Sequence, residues 1–211
     1  TGNGTANLAE PFLGSGLIPA ATGLLRDLST TRAEYPAWIP EKCTGCGACW
    51  TVCPDSALPG LVNGIGEILE TALQSLERRG YPTKHLPRAV RTLEGRVREL
   101  LVKGQKPDSV TPHMSQAITE TIATSRLPGN AVKELEQEFA DFRAELGDFP
   151  FAATQPFFAE MEATAHGDGG LLSITLDPSK CKACKSCVKA CPEEALVVRP
   201  TSETVIMSMY A

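Results

Sequence analysis

The 211-residue chain is expected to be an α+β protein: a small cysteine-bearing core of two short strand hairpins, interrupted by one large all-helical insertion. Three observations lead there. Eight cysteines fall in two groups of four, with none left over. The two groups and their flanks repeat at a constant offset of 138 residues. Between Cys53 and Cys181 lie 127 residues whose apolar positions recur with a helical period.

The groups are Cys43-x2-Cys46-x2-Cys49-x3-Cys53-Pro54 and Cys181-x2-Cys184-x2-Cys187-x3-Cys191-Pro192. Flanking residues repeat with them: Pro40 with Pro178, Lys42 with Lys180, Ala57 with Ala195, Leu58 with Leu196. Such a duplication implies two pseudo-equivalent half-sites. Three cysteines at two-residue gaps lie on a tight loop that wraps one corner of a cubane, with its backbone N–H groups turned toward the sulfides. The fourth cysteine opens a short helix and faces away, so it reaches the other site, as this motif does in bacterial two-cluster ferredoxins. The proline after it starts a helix where a missing N–H is harmless. Cys43, Cys46, Cys49 and Cys191 are therefore expected to hold one [4Fe–4S] cluster. Cys181, Cys184, Cys187 and Cys53 are expected to hold a second. The core is expected to be of the bacterial dicluster ferredoxin-like type. Structural zinc sites pair two separate knuckles rather than three cysteines in series. A disulfide framework does not call for such short, regular gaps.

Lys180, Lys182, Lys185 and Lys189 crowd the second motif, whereas the first has Lys42 with Glu41 and Asp55 nearby. A cation favours the more negative, reduced cluster. At ~6 Å one charge is worth about 2.8 kcal/mol at an effective dielectric of 20 and about 0.7 in water. That is roughly 30–120 mV for one electron, at ~59 mV per tenfold. The second motif's cluster is thus expected to have the higher potential. The lysines read equally as a solvated, partner-facing surface. Trp50, after the third cysteine, reads either as a water shield for a cluster or as packing.

Composition sets the broad class. Hydrophobic residues at 42% support a packed core, and aromatics at 6% leave it to helices and small side chains. A net charge of −5 argues against nucleic acid as partner. No apolar run approaches the ~20 residues of a membrane-spanning helix, so no membrane is expected. The chain opens Thr1-Gly2-Asn3-Gly4, without the charged region of a secretory signal. It reads as processed or, preferably, as cut from a longer polypeptide. Unpaired cysteines belong in a reducing compartment, so the cytoplasm is expected.

The expected organisation is a lead-in at 1–39, a discontinuous cysteine domain at 40–59 and 171–200, a helical insertion at 60–170 and a tail at 201–211. In the insertion, Leu61, Ile65, Ile68, Leu69, Ala72, Leu73 and Leu76 make one helix face, broken at Gly80-Tyr81-Pro82. Val90, Leu93, Val97, Leu100 and Leu101 make a second, ended by Gly104. Thr111-Pro112 reads as a cap and first turn before Ile118 and Ile122. After the turn Leu127-Pro128-Gly129-Asn130 comes the stripe Val132, Leu135, Phe139, Phe142, Leu146. Glu134, Glu136 and Glu138 in its early turns suit the helix dipole. Residues 149–158 read as a short helix or packed loop. One strand pair is expected between Ile174–Leu176 and Leu196–Arg199. Lengthening the closed loop from about 10 to about 127 residues costs about 2.3 kcal/mol, which a self-folding helical unit offsets.

No catalytic constellation is visible. His85, His113 and His166 stand apart from one another in sequence. Arg78, Arg79, Arg88, Arg91, Arg96, Arg98, Lys103 and Lys106 read as a solvated face or as a dock for an acidic redox partner. Gly2, Gly4, Gly14, Gly16 and Gly23 lack the Lys-Ser/Thr ending of a P-loop.

The segment Ile18-Pro-Ala-Ala-Thr-Gly23, with Tyr35-Pro-Ala-Trp-Ile-Pro-Glu-Lys-Cys43, resembles the pyruvate:ferredoxin (2-oxoacid:acceptor) oxidoreductase family. Leu176-Asp177-Pro178 is similar to that family's lead into its second motif. The likeness covers about residues 11–60 and 170–199, and Pro-x-Trp-x-Pro-Glu is its more discriminating part. It carries over the eight cysteines and no other residue. It implies a relay domain in a larger enzyme, which uses thiamine diphosphate and coenzyme A in its other parts. Electrons would pass from those domains or subunits through two [4Fe–4S] clusters to a soluble ferredoxin or flavodoxin-type acceptor. The long insertion departs from the family, and no thiamine- or coenzyme A-binding segment is visible. Two other functions compete: a free-standing dicluster ferredoxin acting as a diffusible carrier, and an assembly subunit whose clusters only staple the fold.

Overall fold

The computed structural model describes residues 27, 29, 32–147 and 149–210, the last three by backbone alone. Most of the lead-in, including the five glycines and Ile18–Gly23, lies outside the described residues. The fold is α+β, with a helical stretch between the two cysteine motifs.

Strand β1 (Glu34–Trp38) leads into the first cysteine loop and the short helix α1 (Ala48–Thr51). Strand β2 (Gly60–Gly64) follows, then helices α2 (Ile65–Arg78) and α3 (Leu86–Lys103). Strand β3 (Asp108–Ser109) precedes α4 (Val110–Ala123) and α5 (Gly129–Leu146). Strand β4 (Ala152–Ala153), a π-helical turn at Gln155–Ala159 and α6 (Glu160–Thr164) close the insertion. Strand β5 (Gly170–Ile174), α7 (Ser186–Ala190), β6 (Leu196–Pro200) and α8 (Glu203–Tyr210) complete the chain. One sheet is β1-β6; the other has the order β2-β5-β4-β3. The stretch 60–170, expected to be all helical, therefore also holds strand β2 and the two shorter strands β3 and β4.

The expected pairing of Ile174–Leu176 with Leu196–Arg199 is not found. The strand before the first motif pairs with the strand after the second, Pro36 opposite Val198. The strand before the second motif pairs with the strand after the first, Gly60 opposite Ile174. The two ladders have the same register once the 138-residue offset is applied. The physical reason is continuity of the chain. The fourth cysteine of each motif crosses to the other half, and the strand that follows it stays there.

Two apolar cores result. In the insertion, Ile65, Leu69, Leu76, Leu86, Leu93, Val97, Leu101, Leu135, Phe139 and Phe142 are buried together. Phe139 and Phe142 meet edge to face at 6.3 Å. The second core holds Cys43, Cys49, Leu58, Leu172, Ile174, Cys187, Ala195 and Leu196. Strand β5 is their common wall. Its alternation sends Leu171 into the helical core and Leu172 and Ile174 into the cysteine core.

The helix faces expected from periodicity are found, with two differences. Leu61 belongs to β2 rather than to the first helix, and is exposed. Glu138 does not serve the dipole of its own helix. Its buried carboxylate accepts the N–H groups of Lys84 (3.1 Å), His85 (2.9 Å) and Leu86 (2.7 Å), and so caps the start of α3. Helix α3 ends at Gly104, whose N–H reaches the Leu100 carbonyl at 3.1 Å. Helix α4 starts at Val110 after an N-cap Ser109, which puts Thr111 and Pro112 inside its first turn.

The basic run does not form one surface. Arg98 is 7% exposed and binds Glu162, equally buried, at 2.6 Å. Arg79 pairs with Glu145, and Lys106 donates to the Leu101 carbonyl at the end of α3. The histidines take separate carboxylates: His85 with Glu134 (3.0 Å), His113 with Asp108 (2.8 Å), His166 with Glu162 (2.6 Å).

Candidate iron–sulfur centres

Each cysteine loop turns tightly because its backbone enters the left-handed region twice. In the first loop glycines do this, Gly45 at φ +79° and Gly47 at φ +76°. At the equivalent positions of the second loop stand Ala183 at φ +54° and Lys185 at φ +64°. Ser56 (φ +51°) and Glu194 (φ +50°) repeat the correspondence after the fourth cysteines. The duplication thus extends to individual backbone angles, even where side chains raise their cost.

These loops enclose two matched hollows. The first is walled by Cys43, Cys46, Cys49 and Cys191, with Trp38 and Trp50 among its lining. The second is walled by Cys181, Cys184, Cys187 and Cys53, with Lys180, Lys182 and Lys185 around it. Their empty volumes are about 340 Å³ and 350 Å³, part of it open to solvent. Three cysteines of one motif and the fourth of the other meet at each hollow. None of the eight forms a disulfide. Among the described residues, no three His, Cys, Asp or Glu side chains converge closely enough to hold one metal ion. The quartets are spread around a space instead, which suits a polynuclear group better than zinc.

Several donors point at the sulfurs. Ala57 N–H reaches Cys53 Sγ and Ala195 N–H reaches Cys191 Sγ, both at 3.2 Å, and Ala183 N–H reaches Cys181 Sγ at 3.4 Å. The Trp38 indole N–H is buried and has no hydrogen-bond acceptor among the described residues. Trp38 lines the same hollow as Cys43 and favours that thiolate. An anionic sulfur ligand completes these donors. Burial works in the opposite direction and pushes the Cys49 and Cys187 thiols up to about 11. Cys43 and Cys181 are raised for the same reason. Bare thiols here would keep their protons, and a cationic iron core supplies the charge that holds them as thiolates. The residues present therefore fit a [4Fe–4S] group in each hollow.

The hollows differ in their surroundings. The Trp50 ring lies over the first loop: a methyl on Gly47 would meet it at 2.8 Å, and one on Gly60 at 2.7 Å. The insertion covers the same loop, with Phe157 3.0 Å from a methyl placed on Gly45. Trp50 thus both packs and walls the hollow. Around the second hollow the lysines are paired, Lys180 with Asp177 (2.8 Å), Lys182 with Asp55 (2.9 Å) and Lys185 with Glu34 (2.5 Å). Their field is weaker than the bare sequence implies. Arg32 was missed on the sequence. Its guanidinium is buried and donates to the carbonyls of Pro178 and of Cys181, the latter at 3.1 Å. Comparing the two halves position by position could have flagged it, because 138 residues on stands Gly170.

The profile of the 4Fe-4S binding domain family matches residues 36–58 and 174–197, the segments that wall the two hollows. No curated protein matches the chain, and no solved structure does. Each matched segment holds four of the cysteines, which is consistent with a dicluster, ferredoxin-like core and supports 4Fe–4S binding at both places. No helix among the described residues is long and apolar enough to cross a membrane.

Proposed function

We propose that the chain is an electron relay with two [4Fe–4S] clusters, the exit wire of a 2-oxoacid:acceptor oxidoreductase-like enzyme. The observation that carries the relay is the exchange of fourth cysteines, Cys191 into the first hollow and Cys53 into the second. In this reading Cys43, Cys46, Cys49 and Cys191 ligate one cluster, and Cys181, Cys184, Cys187 and Cys53 the other. Each cluster, when bound, stores and releases one electron at a time. Apolar walls keep water from the buried sulfurs of Cys43, Cys49, Cys181 and Cys187. Cys46 and Cys184 lie exposed, so each site has an edge from which a partner can be reached.

The oxidoreductase context rests on the Pro-x-Trp-x-Pro-Glu lead and on the insertion, which a diffusing carrier does not need. Thiamine diphosphate and coenzyme A would then bind other domains or subunits of the parent enzyme, with a ferredoxin or flavodoxin-type protein as acceptor. The exposed Cys46 and Cys184 also support the alternative, a diffusible carrier. Anaerobic iron and sulfide analysis tests the clusters. Eight of each per chain, with an EPR signal after dithionite, is the expected result, and stoichiometric zinc ends the proposal. The context is tested in the intact parent enzyme. Reduction of these clusters by a 2-oxoacid with coenzyme A supports the relay, and no reduction leaves the carrier.

A further inference from the structure

We propose that Arg32 makes the site walled by Cys181, Cys184, Cys187 and Cys53 the higher-potential member of the pair, so that an electron entering the pair settles there. The inference rests on the reading that both hollows hold clusters.

The first support is position. The Arg32 guanidinium is buried against the backbone of a cysteine that walls the second hollow. Its identified partners are two neutral carbonyls, of Pro178 and Cys181. Its Nε and second terminal nitrogen find no acceptor among the described residues. A buried cation without a matching contact ion is costly in the absence of nearby negative charge. Reduction adds one negative charge to the cluster beside it, so Arg32 stabilises the reduced form.

The second support is the broken symmetry. The two ladders share one register, so equivalent positions are well defined. Arg32 maps onto Gly170, which has no side chain, and among the described residues no cation lines the first hollow. The first hollow has instead the Trp38 N–H, whose equivalent is Leu176. That donor is neutral. A full charge acts beyond contact distance, whereas a neutral donor acts mainly on the atom it touches. Arg32 therefore outweighs Trp38.

Other charges do not reverse this order: Lys42, next to Cys43, is exposed where water screens it, with the likewise exposed Glu41 beside it. Lys180, Lys182 and Lys185 have Asp177, Asp55 and Glu34 as contact partners, which cancel much of their field. Asp27 also feels Arg32, but its carboxylate is anchored first by the Ser29 N–H and sits where water screens it. Glu193 lines the first hollow and adds negative charge on that side.

The test is an EPR-monitored redox titration of the whole chain, reconstituted anaerobically. Wild type should show two waves. Arg32→Gln should lower the upper wave by about tenfold in its reduction equilibrium, about 59 mV for one electron, and narrow the gap. Trp38→Phe should lower the lower wave by less and widen the gap. Arg32→Lys, which keeps the charge, should preserve most of the gap. An unmoved or widened gap in Arg32→Gln with both clusters intact overturns the proposal. If Arg32→Gln loses iron, Arg32→Lys decides: a wild-type gap supports the proposal and a lost gap overturns it. Wild type without iron and sulfide would sink the cluster reading itself, before any potential is measured.

Discussion

The two halves of the cysteine core share their spacing, strand register and backbone angles, yet they sit in different environments. The first loop is built with glycines at its left-handed positions and lies under Trp50 and Phe157. The second loop holds Ala183 and Lys185 at those positions and is surrounded by paired lysines and the buried Arg32. Geometry was kept and surroundings diverged. Two sites with one ligand geometry can differ in potential only through what lies outside the sulfurs: charge, donors and access of water. A pair tuned this way has a direction, which a symmetric pair lacks.

The harshest way to break the comparison is to remove an exchanged ligand. Cys53→Ala should abolish the cluster of the second loop and spare that of its own. The residual EPR wave should then respond to Trp38→Phe and ignore Arg32→Gln. Cys191→Ala should give the opposite pattern. If each variant instead silences its own loop, the exchange is wrong.

Next in size is the anchor of β5, the wall between the cores. Glu162 accepts the N–H groups of Gly167 and Gly169, both at 3.1 Å, just before that strand, and binds Arg98. Glu162→Gln leaves the buried Arg98 with only the longer contact to the more exposed Glu94, at 3.4 Å, and should cost about 3 kcal/mol in denaturant unfolding. The pH dependence has a definite sign. Burial raises the Glu162 carboxyl, but the Gly167 N–H, Arg98 and the Gly169 N–H outweigh it and hold it below the ordinary value. A depressed carboxyl stabilises the fold fully above the unfolded value of ~4.3 and loses that contribution as pH falls through the folded value. Stability should therefore drop on acidification below about pH 4 in wild type, and this part of the drop should vanish in Glu162→Gln.

Smaller effects sharpen the contrast between the loops. Gly47→Ala combines a left-handed backbone with a methyl 2.8 Å from Trp50, and should destabilise by about 2 kcal/mol. Ala183→Gly relieves the same backbone in the second loop and should stabilise by about 0.5 kcal/mol, the relief being offset in part by glycine's entropy. Thermal unfolding of the two variants should move in opposite directions. Equal shifts would mean that the loops tolerate the left-handed region alike.

Local signals were legible and long-range ones were not. Cysteine spacing set two groups of four, and the helical period found the apolar faces of α2, α3 and α5. Gly104 marked the end of α3 because a helix stop is written in a few neighbouring residues. Leu61 was misplaced because a lone leucine before a helical stripe fits the helix and the strand equally well. Glu138 read as a dipole residue, whereas the N–H groups it caps lie more than 50 positions away in sequence.

By itself, then, the sequence determined the α+β class, the eight thiols, their grouping and the helical character of the insertion, since each depends on residues a few positions apart. Only the tertiary structure decided which strands pair, that β5 divides two cores, and that Arg32 lies against Cys181 from 149 residues away. Spacing along the chain constrains what neighbouring residues can do together. It does not say which distant backbone a buried cation will meet, because that follows from how the two halves cross.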